Sequence, residues 1–211
     1  MTDPRASASP TIHGHSRSQE NVYEVLNFVL FLDNLKKVTR QNPLVDGTRR
    51  ERTAEHSWHV AMAVLCFHQY ATEQIDLGRA VQLAVVHDLP ETVVGDTFVY
   101  SPAIKSRRDR EQTAMQECVV KKASEVGDYI MKAWEEYEYE ASPEGRFVMA
   151  VDVLLPVFIN SVAGDRSSWA KHGVSDDEVR RRVKRVYDTL PRLADLALGA
   201  IEDALRQGLL S

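Results

Sequence analysis

His87 and Asp88 stand side by side in this chain, and two more residues give the pair a chemistry. His56 lies upstream on what reads as another helix, and Asp152 lies downstream in the most apolar stretch of the sequence. Two neutral imidazoles and two carboxylates form a mixed nitrogen and oxygen donor set, suited to one divalent ion such as Mn, Fe, Co, Ni or Zn. Neither cysteine is needed for it. A His-Asp dipeptide alone is common and carries no such meaning.

Asp152 has the sharpest physical argument. Phe147, Val148, Val151, Val153, Leu154, Val157 and Phe158 surround it, so its helix is apolar on nearly every side. A lone ionised carboxylate there is costly unless it is paired or metal-bound. A salt bridge to a buried Arg or Lys would serve as well, but the company of His56, His87 and Asp88 favours a metal. Pro156 offers no N–H to the Asp152 carbonyl, so the helix is expected to loosen or kink there. His59 lies off the stripe that carries His56 and reads as a supporting or core histidine. His68 and His172 read the same way, although the loop around His172 could border a pocket. Glu91 falls in the first turn after Pro90, where it can face the same cavity as Asp88, and Asp96 follows Gly95 at the next turn. Water on such an ion becomes a nucleophile near neutral pH once a base takes its proton, and these two carboxylates are the available bases. The blander alternatives are a helix N-terminal charge for Glu91 and an ordinary turn aspartate for Asp96.

The elements that must position these groups are helical. From about Gln19, Val22, Val25, Leu26, Val29, Leu32 and Leu35 recur at three- and four-residue steps, and Lys36, Lys37 and Arg40 close that helix with positive charge. A loop from Gln41 to Arg50 follows. The spacing then predicts helices over about Thr53 to Tyr70 and Leu77 to Asp88, with His56 on a buried stripe and His87-Asp88 at a helix end. Pro90 starts a new turn. The charged segment Lys105 to Glu117 leads into an amphipathic helix to about Val126, and another helix spans roughly Asp128 to Tyr139. Ser142-Pro143-Glu144 reads as a cap and first turn for the core helix, Gly145 to about Val162. A last helical region from Ser175 is broken near Pro191. With no repeat, no sustained strand pattern and no Gly-rich phosphate loop, the fold class is all-α, a single bundle of eight to ten helices.

At 211 residues the length fits one domain, over residues 19–211, after a disordered leader at 1–18. His13 and His15 in that leader read as solvated tail residues. The composition, 44% hydrophobic and 27% charged with net charge −5, argues against a nucleic-acid polymer as partner, which asks for a basic face. Cys66 and Cys118 read as buried free thiols of a reducing compartment. No stretch approaches a membrane span and the leader has no apolar core, so a cytoplasmic protein without a membrane partner is expected.

Three segments together resemble the HD-domain phosphohydrolases: Arg52-Thr-Ala-Glu-His56-Ser-Trp-His59, then His87-Asp88-Leu-Pro-Glu91-Thr-Val-Val-Gly-Asp96, then Asp152. More narrowly they are similar to the 5′-deoxynucleotidase branch, which Trp134-Glu-Glu-Tyr-Glu138 and Phe147-Val-Met-Ala-Val-Asp152 also match. The resemblance implies that His56, His87, Asp88 and Asp152 hold one divalent metal. It makes Glu91 the general acid/base, Asp96 a substrate or water contact, and Arg40, Ser57 and Lys105 substrate-binding residues. Arg49, Arg50 and Arg52 are further basic candidates by the same mouth, and for most of this set, Lys105 included, plain surface charge is the alternative reading. The bacterial members follow the arginine with a tryptophan, whereas this chain has Arg40-Gln41-Asn42-Pro43, so no base or sugar preference carries over. The implied activity is hydrolysis of (deoxy)nucleoside 5′-monophosphates by a homodimer. Other readings are a hydrolase of a nucleoside triphosphate, cyclic dinucleotide or other phosphate ester, a non-catalytic nucleotide sensor, and a di-iron oxygenase, for which only His59 is at hand to serve a second metal.

Overall fold

Helix α7 (Pro143–Ala163) is the axis of the molecule, and the other elements pack around it because almost all of its side chains are apolar. The computed structural model describes residues 17–211, with side chains for all but 17–21 and 120–125. The leader therefore lies outside the described residues, apart from its last two positions, which begin a helix. In chain order the helices are α1 (Arg17–Leu32), α2 (Thr53–Phe67), α3 (Leu77–Val86), α4 (Glu91–Val94), α5 (Arg107–Met115), α6 (Lys121–Glu138), α7, α8 (Ser168–His172), α9 (Asp176–Arg185) and α10 (Pro191–Arg206). Helices α2, α3, α6, α9 and α10 all touch α7. Phe147, Val148, Val151 and Leu154 on α7 are buried with Val60 and Val64 of α2, Leu83 of α3 and Ile201 of α10. Each such side chain contributes roughly 1.5–3 kcal/mol of burial free energy. A second apolar cluster, Phe28, Leu35, Leu89, Met115 and Trp134, fixes α1 and α6 against the segment after α3.

The all-α expectation holds, and several local expectations do not. Helix α1 stops at Leu32, followed by a 3₁₀ turn over Asp33–Lys37, so Arg40 does not close a helix. It sits instead on a strand, β1 (Thr39–Pro43), paired antiparallel with β2 (Arg50–Arg52) in an irregular register. The turn between them is closed by Asp46, whose carboxylate accepts from the Thr48 backbone at 3.0 Å, and by Gly47 with φ +65°. A Cβ at Gly47 would meet Arg166 Nε at 2.5 Å, so the close approach also demands glycine. The break expected near residue 127 is absent; α5 passes through a π-turn (Gln116–Val120) into an uninterrupted α6. Ser142 caps α7 as expected, accepting from the Gly145 backbone, and α7 runs on through Pro156. Gly145 is needed here, because a Cβ would lie 2.5 Å from the Glu136 carbonyl. That tight α6–α7 corner brings Tyr137 over Asp152.

Other expectations also fail. Cys66 is exposed and Cys118 only half-buried. His68 and His172 are exposed rather than in the core. The stretch Pro143–Arg166 is long and apolar enough to cross a membrane, contrary to the sequence reading, but 67% of its 18-residue apolar segment is buried inside the fold, as suits a core helix.

Candidate metal centre and substrate cavity

His56 reaches the centre from the second turn of α2, whose start is fixed by Glu55 accepting from the Arg52 backbone at 3.0 Å. Its Nε2 lies 2.8 Å from Asp152 Oδ1 and 3.8 Å from Asp88 Oδ2. Its Nδ1 faces Glu51 at 3.3 Å, on β2. His87 follows α3, and its Nδ1 donates to the Ala84 carbonyl at 2.8 Å, which leaves the Nε2 lone pair pointing inward. That Nε2 is buried without a hydrogen bond, 3.1 Å from Asp88 Oδ2 and 3.8 Å from Asp152 Oδ1. Asp152 Oδ2 accepts from the Tyr137 hydroxyl at 2.9 Å.

These donors fit a divalent ion. Atoms sharing one ion at about 2.0–2.2 Å must sit roughly 3–3.5 Å apart, and here the inward atoms are separated by 2.8 to 3.8 Å. His56, His87 and Asp88 by themselves offer ligand atoms within 4.8 Å of one another. The electrostatics agree. Burial opposes a charged His87, yet the Asp88 and Asp152 carboxylates override it and push the imidazole up to about 9. Burial likewise opposes a charged Arg40, and Asp88, Glu91 and Asp96 reverse that effect. Burial resists ionisation of Asp88 and Asp152 too, but His87, His56 and Arg40 hold both carboxyls far below their usual range. The centre carries excess negative charge and stabilises whatever cation comes near.

Arg40 Nη1 donates to Asp88 Oδ2 at 2.7 Å and stands 3.9 Å from Glu91 and 4.0 Å from Asp96. Glu91 is 5% exposed and accepts from the Thr53 hydroxyl at 2.7 Å. Burial, reinforced by Asp88, raises its carboxyl well above the ordinary range. Asp96 is raised as well, by burial and by Asp88, and accepts from the Gln41 backbone at 3.2 Å. These groups open onto a cavity of about 400 Å³ lined by Asp88, Glu91, Asp96 and Asp152 together with Lys105, Arg107, Arg108, Arg182 and Arg185. Arg107 and Arg108 are held by Glu138, which is buried and accepts from both at 2.8 to 2.9 Å.

Of the metal-ligand, acid/base and substrate-binding residues expected from sequence, Ser57 alone lies away from the centre and its cavity, donating to the Thr53 carbonyl at 3.1 Å. His59 is half-exposed, 4.0 Å from Glu51. Arg49 and Arg52 face elsewhere, on Glu55 and the Lys36 carbonyl. Sequence reasoning missed Glu51, Thr53, Tyr137 and Arg182. Thr53 and Tyr137 lie inside motifs already singled out, yet spacing alone did not say that they turn inward.

An all-helical bundle that converges two histidines and two aspartates beside a buried acid and a cation-lined cavity is built as a metal-dependent hydrolase. The chain belongs to the HD domain family, which matches residues 32–194. It is 30% identical over 152 residues to the 5′-deoxynucleotidase HDDC2 of Bos taurus, covering 70% of each chain. To the 5′-deoxynucleotidase HDDC2 of Homo sapiens it is 27% identical over 147 residues, 69% of this chain and 68% of that one. The crystal structure of a predicted metal-dependent phosphohydrolase from Magnetospirillum magnetotacticum MS-1 superposes with a TM-score of 0.82 at 30% identity, covering 90% of this chain and 98% of that chain.

Proposed function

We propose that this enzyme hydrolyses (deoxy)nucleoside 5′-monophosphates to nucleoside and phosphate, with His56, His87, Asp88 and Asp152 holding one divalent ion. The observation that carries the reading is the buried, unbonded Nε2 of His87 aimed at the same point as His56, Asp88 and Asp152. The likeness to the 5′-deoxynucleotidases supports the substrate. When bound, the ion supplies Lewis-acid polarisation of a phosphoryl oxygen and a more acidic water. The remaining work falls to the chain. Arg40 and Lys105 neutralise the phosphate, and the buried Glu91 holds the proton for the departing 5′-oxygen. Asp96 fixes the ribbon backbone at Gln41 and orients water or substrate. The outward apolar side chains of α1 and α2, among them Val22, Val29, Trp58 and Met62, suit a homodimer, which a solution mass measurement reads directly.

The test is phosphate release from deoxynucleoside monophosphates, ribonucleotides, nucleoside triphosphates and an aryl phosphate, with Mn, Co, Ni, Zn or Mg supplied. Turnover of monophosphates well above triphosphates supports the reading. Preference for a triphosphate moves it to a different hydrolase, and tight nucleotide binding without turnover moves it to a sensor.

Tyr137 gives a sharper check of the ligand set. Removing its hydroxyl in Tyr137→Phe leaves Asp152 Oδ2 without its donor, so metal affinity is expected to fall about 10-fold, in the range seen when groups supporting a metal ligand are lost. Unchanged affinity in a calorimetric titration would count against Asp152 as a ligand.

A further inference from the structure

The cavity has an annex of about 40 Å³, which shares Asp96, Thr97, Val99, Asp152 and Arg182 with it. Asn42 of β1 lines the annex, and Asn160 of α7 and Ser168 of α8 hold it in place. One group that can only donate settles the orientation of both amides. The Ser168 backbone N–H reaches Asn160 Oδ1 at 2.7 Å. The other terminal atom of Asn160 is therefore nitrogen, and it donates to the Pro156 carbonyl at 2.8 Å and to Asn42 at 3.1 Å. The receiving atom of Asn42 must be its oxygen, which also lies 3.0 Å from Ser168 Oγ. Asn160 and Ser168 are each 1% exposed, so this arrangement is locked by packing. The Nδ2 of the half-buried Asn42 is left with no hydrogen bond to the described residues.

We infer that Asn42 is a specificity-determining residue, presenting a fixed N–H donor to an acceptor oxygen on the nucleoside part of the substrate, a sugar hydroxyl or a base carbonyl. The inference rests on the nucleotide reading above. The annex admits an oxygen-bearing substituent and is too small for a base ring. A preset donor loses little side-chain entropy on binding and discriminates against any substrate that leaves it unpaired.

Two variants test it. Asn42→Asp keeps the acceptor oxygen that Asn160 and Ser168 use and replaces the NH₂ with oxygen, whereas Asn42→Ala removes the donor without adding charge. Parent and variants, loaded with the same metal, are assayed on dTMP, dAMP, 2′,3′-dideoxy-AMP and p-nitrophenyl phosphate. In both variants kcat/KM for dTMP is expected to fall at least about tenfold further than for the aryl phosphate, mainly through KM. A loss confined to dTMP assigns the base carbonyl, because adenine has none. A loss shared by dTMP and dAMP but missing for the dideoxy analogue assigns a sugar hydroxyl. Equal changes on nucleotides and aryl phosphate, or none, overturn the inference and leave the nucleotidase reading standing. A parent enzyme that cleaves the aryl phosphate and no nucleotide sinks that reading and takes the inference with it.

Discussion

An enzyme carrying Asp152→Asn is expected to lose more than about 100-fold in both divalent-metal affinity and phosphate release, while still folding. The floor is set by the 10- to 100-fold usually lost when a group that merely supports a ligand is removed. Asp152 lies on a helix surrounded by core side chains, and its carboxylate is held at the cavity wall by His56 at 2.8 Å and Tyr137 at 2.9 Å. Asparagine keeps nearly the same volume and an oxygen for Tyr137, so packing around α7 is preserved. What it removes is a charge, in a place where charge is the dominant interaction. Metal content after dialysis, a calorimetric titration and a thermal melt separate the outcomes. Full metal binding and turnover in a stable variant would exclude Asp152 from the ligand set and leave it as the ion-pair partner of His56 at 2.8 Å.

Asp152, His56 and His87 were legible because ionisable groups in apolar helices are costly, so their presence asks for a reason. Arg40 sits on a strand that its sequence does not announce. Its ribbon offers only Arg50–Arg52 on one side, too short for a two-residue period to register, and the run of charge before it mimics the end of a helix. The exposure of Cys66 is hidden in the sequence for the opposite reason. Helix α2 is apolar on its outer face as well, where Trp58, Met62 and Leu65 are exposed, so hydrophobicity did not reveal which side meets the core. Tyr137, Thr53 and Asn160 were invisible as site residues because their roles depend on partners from distant segments. Tyr137 meets Asp152 only through the corner at Gly145, and Asn160 meets Asn42 only because β1 lies against α7.

Under the proposed function, the charge distribution lets one cavity serve both a cation and an anion. Asp88 and Asp152 are kept ionised at the centre, and Lys105, Arg107, Arg108, Arg182 and Arg185 line the same space. Glu138 neutralises part of the Arg107–Arg108 pair and fixes its geometry. A phosphate dianion therefore meets oriented donors rather than a diffuse field, and those donors need little reorganisation when charge develops on it.

Glu91→Gln is expected to lower kcat by about 10²–10⁴-fold, the usual contribution of a positioned proton donor, with KM and metal affinity near those of the parent. Glutamine fills the same space and still accepts from Thr53, but it has no proton to transfer. The parent carboxyl is buried beside Asp88, and both influences favour its protonated form. If that form is the acid for the leaving oxygen, kcat must fall as pH rises through the elevated pKa of Glu91, and the residual rate of the glutamine variant must lack that alkaline limb. The Thr53 hydroxyl, 2.7 Å away, pulls the other way by stabilising the carboxylate. Thr53→Val should therefore move the alkaline limb to higher pH while keeping most of kcat. A purely structural role for Glu91 predicts something else, a melting-temperature change in both variants and no displacement of the limb. An unchanged kcat in Glu91→Gln would move the proton to another group, and Asp96, itself raised by burial, is the one within reach of the same arginine.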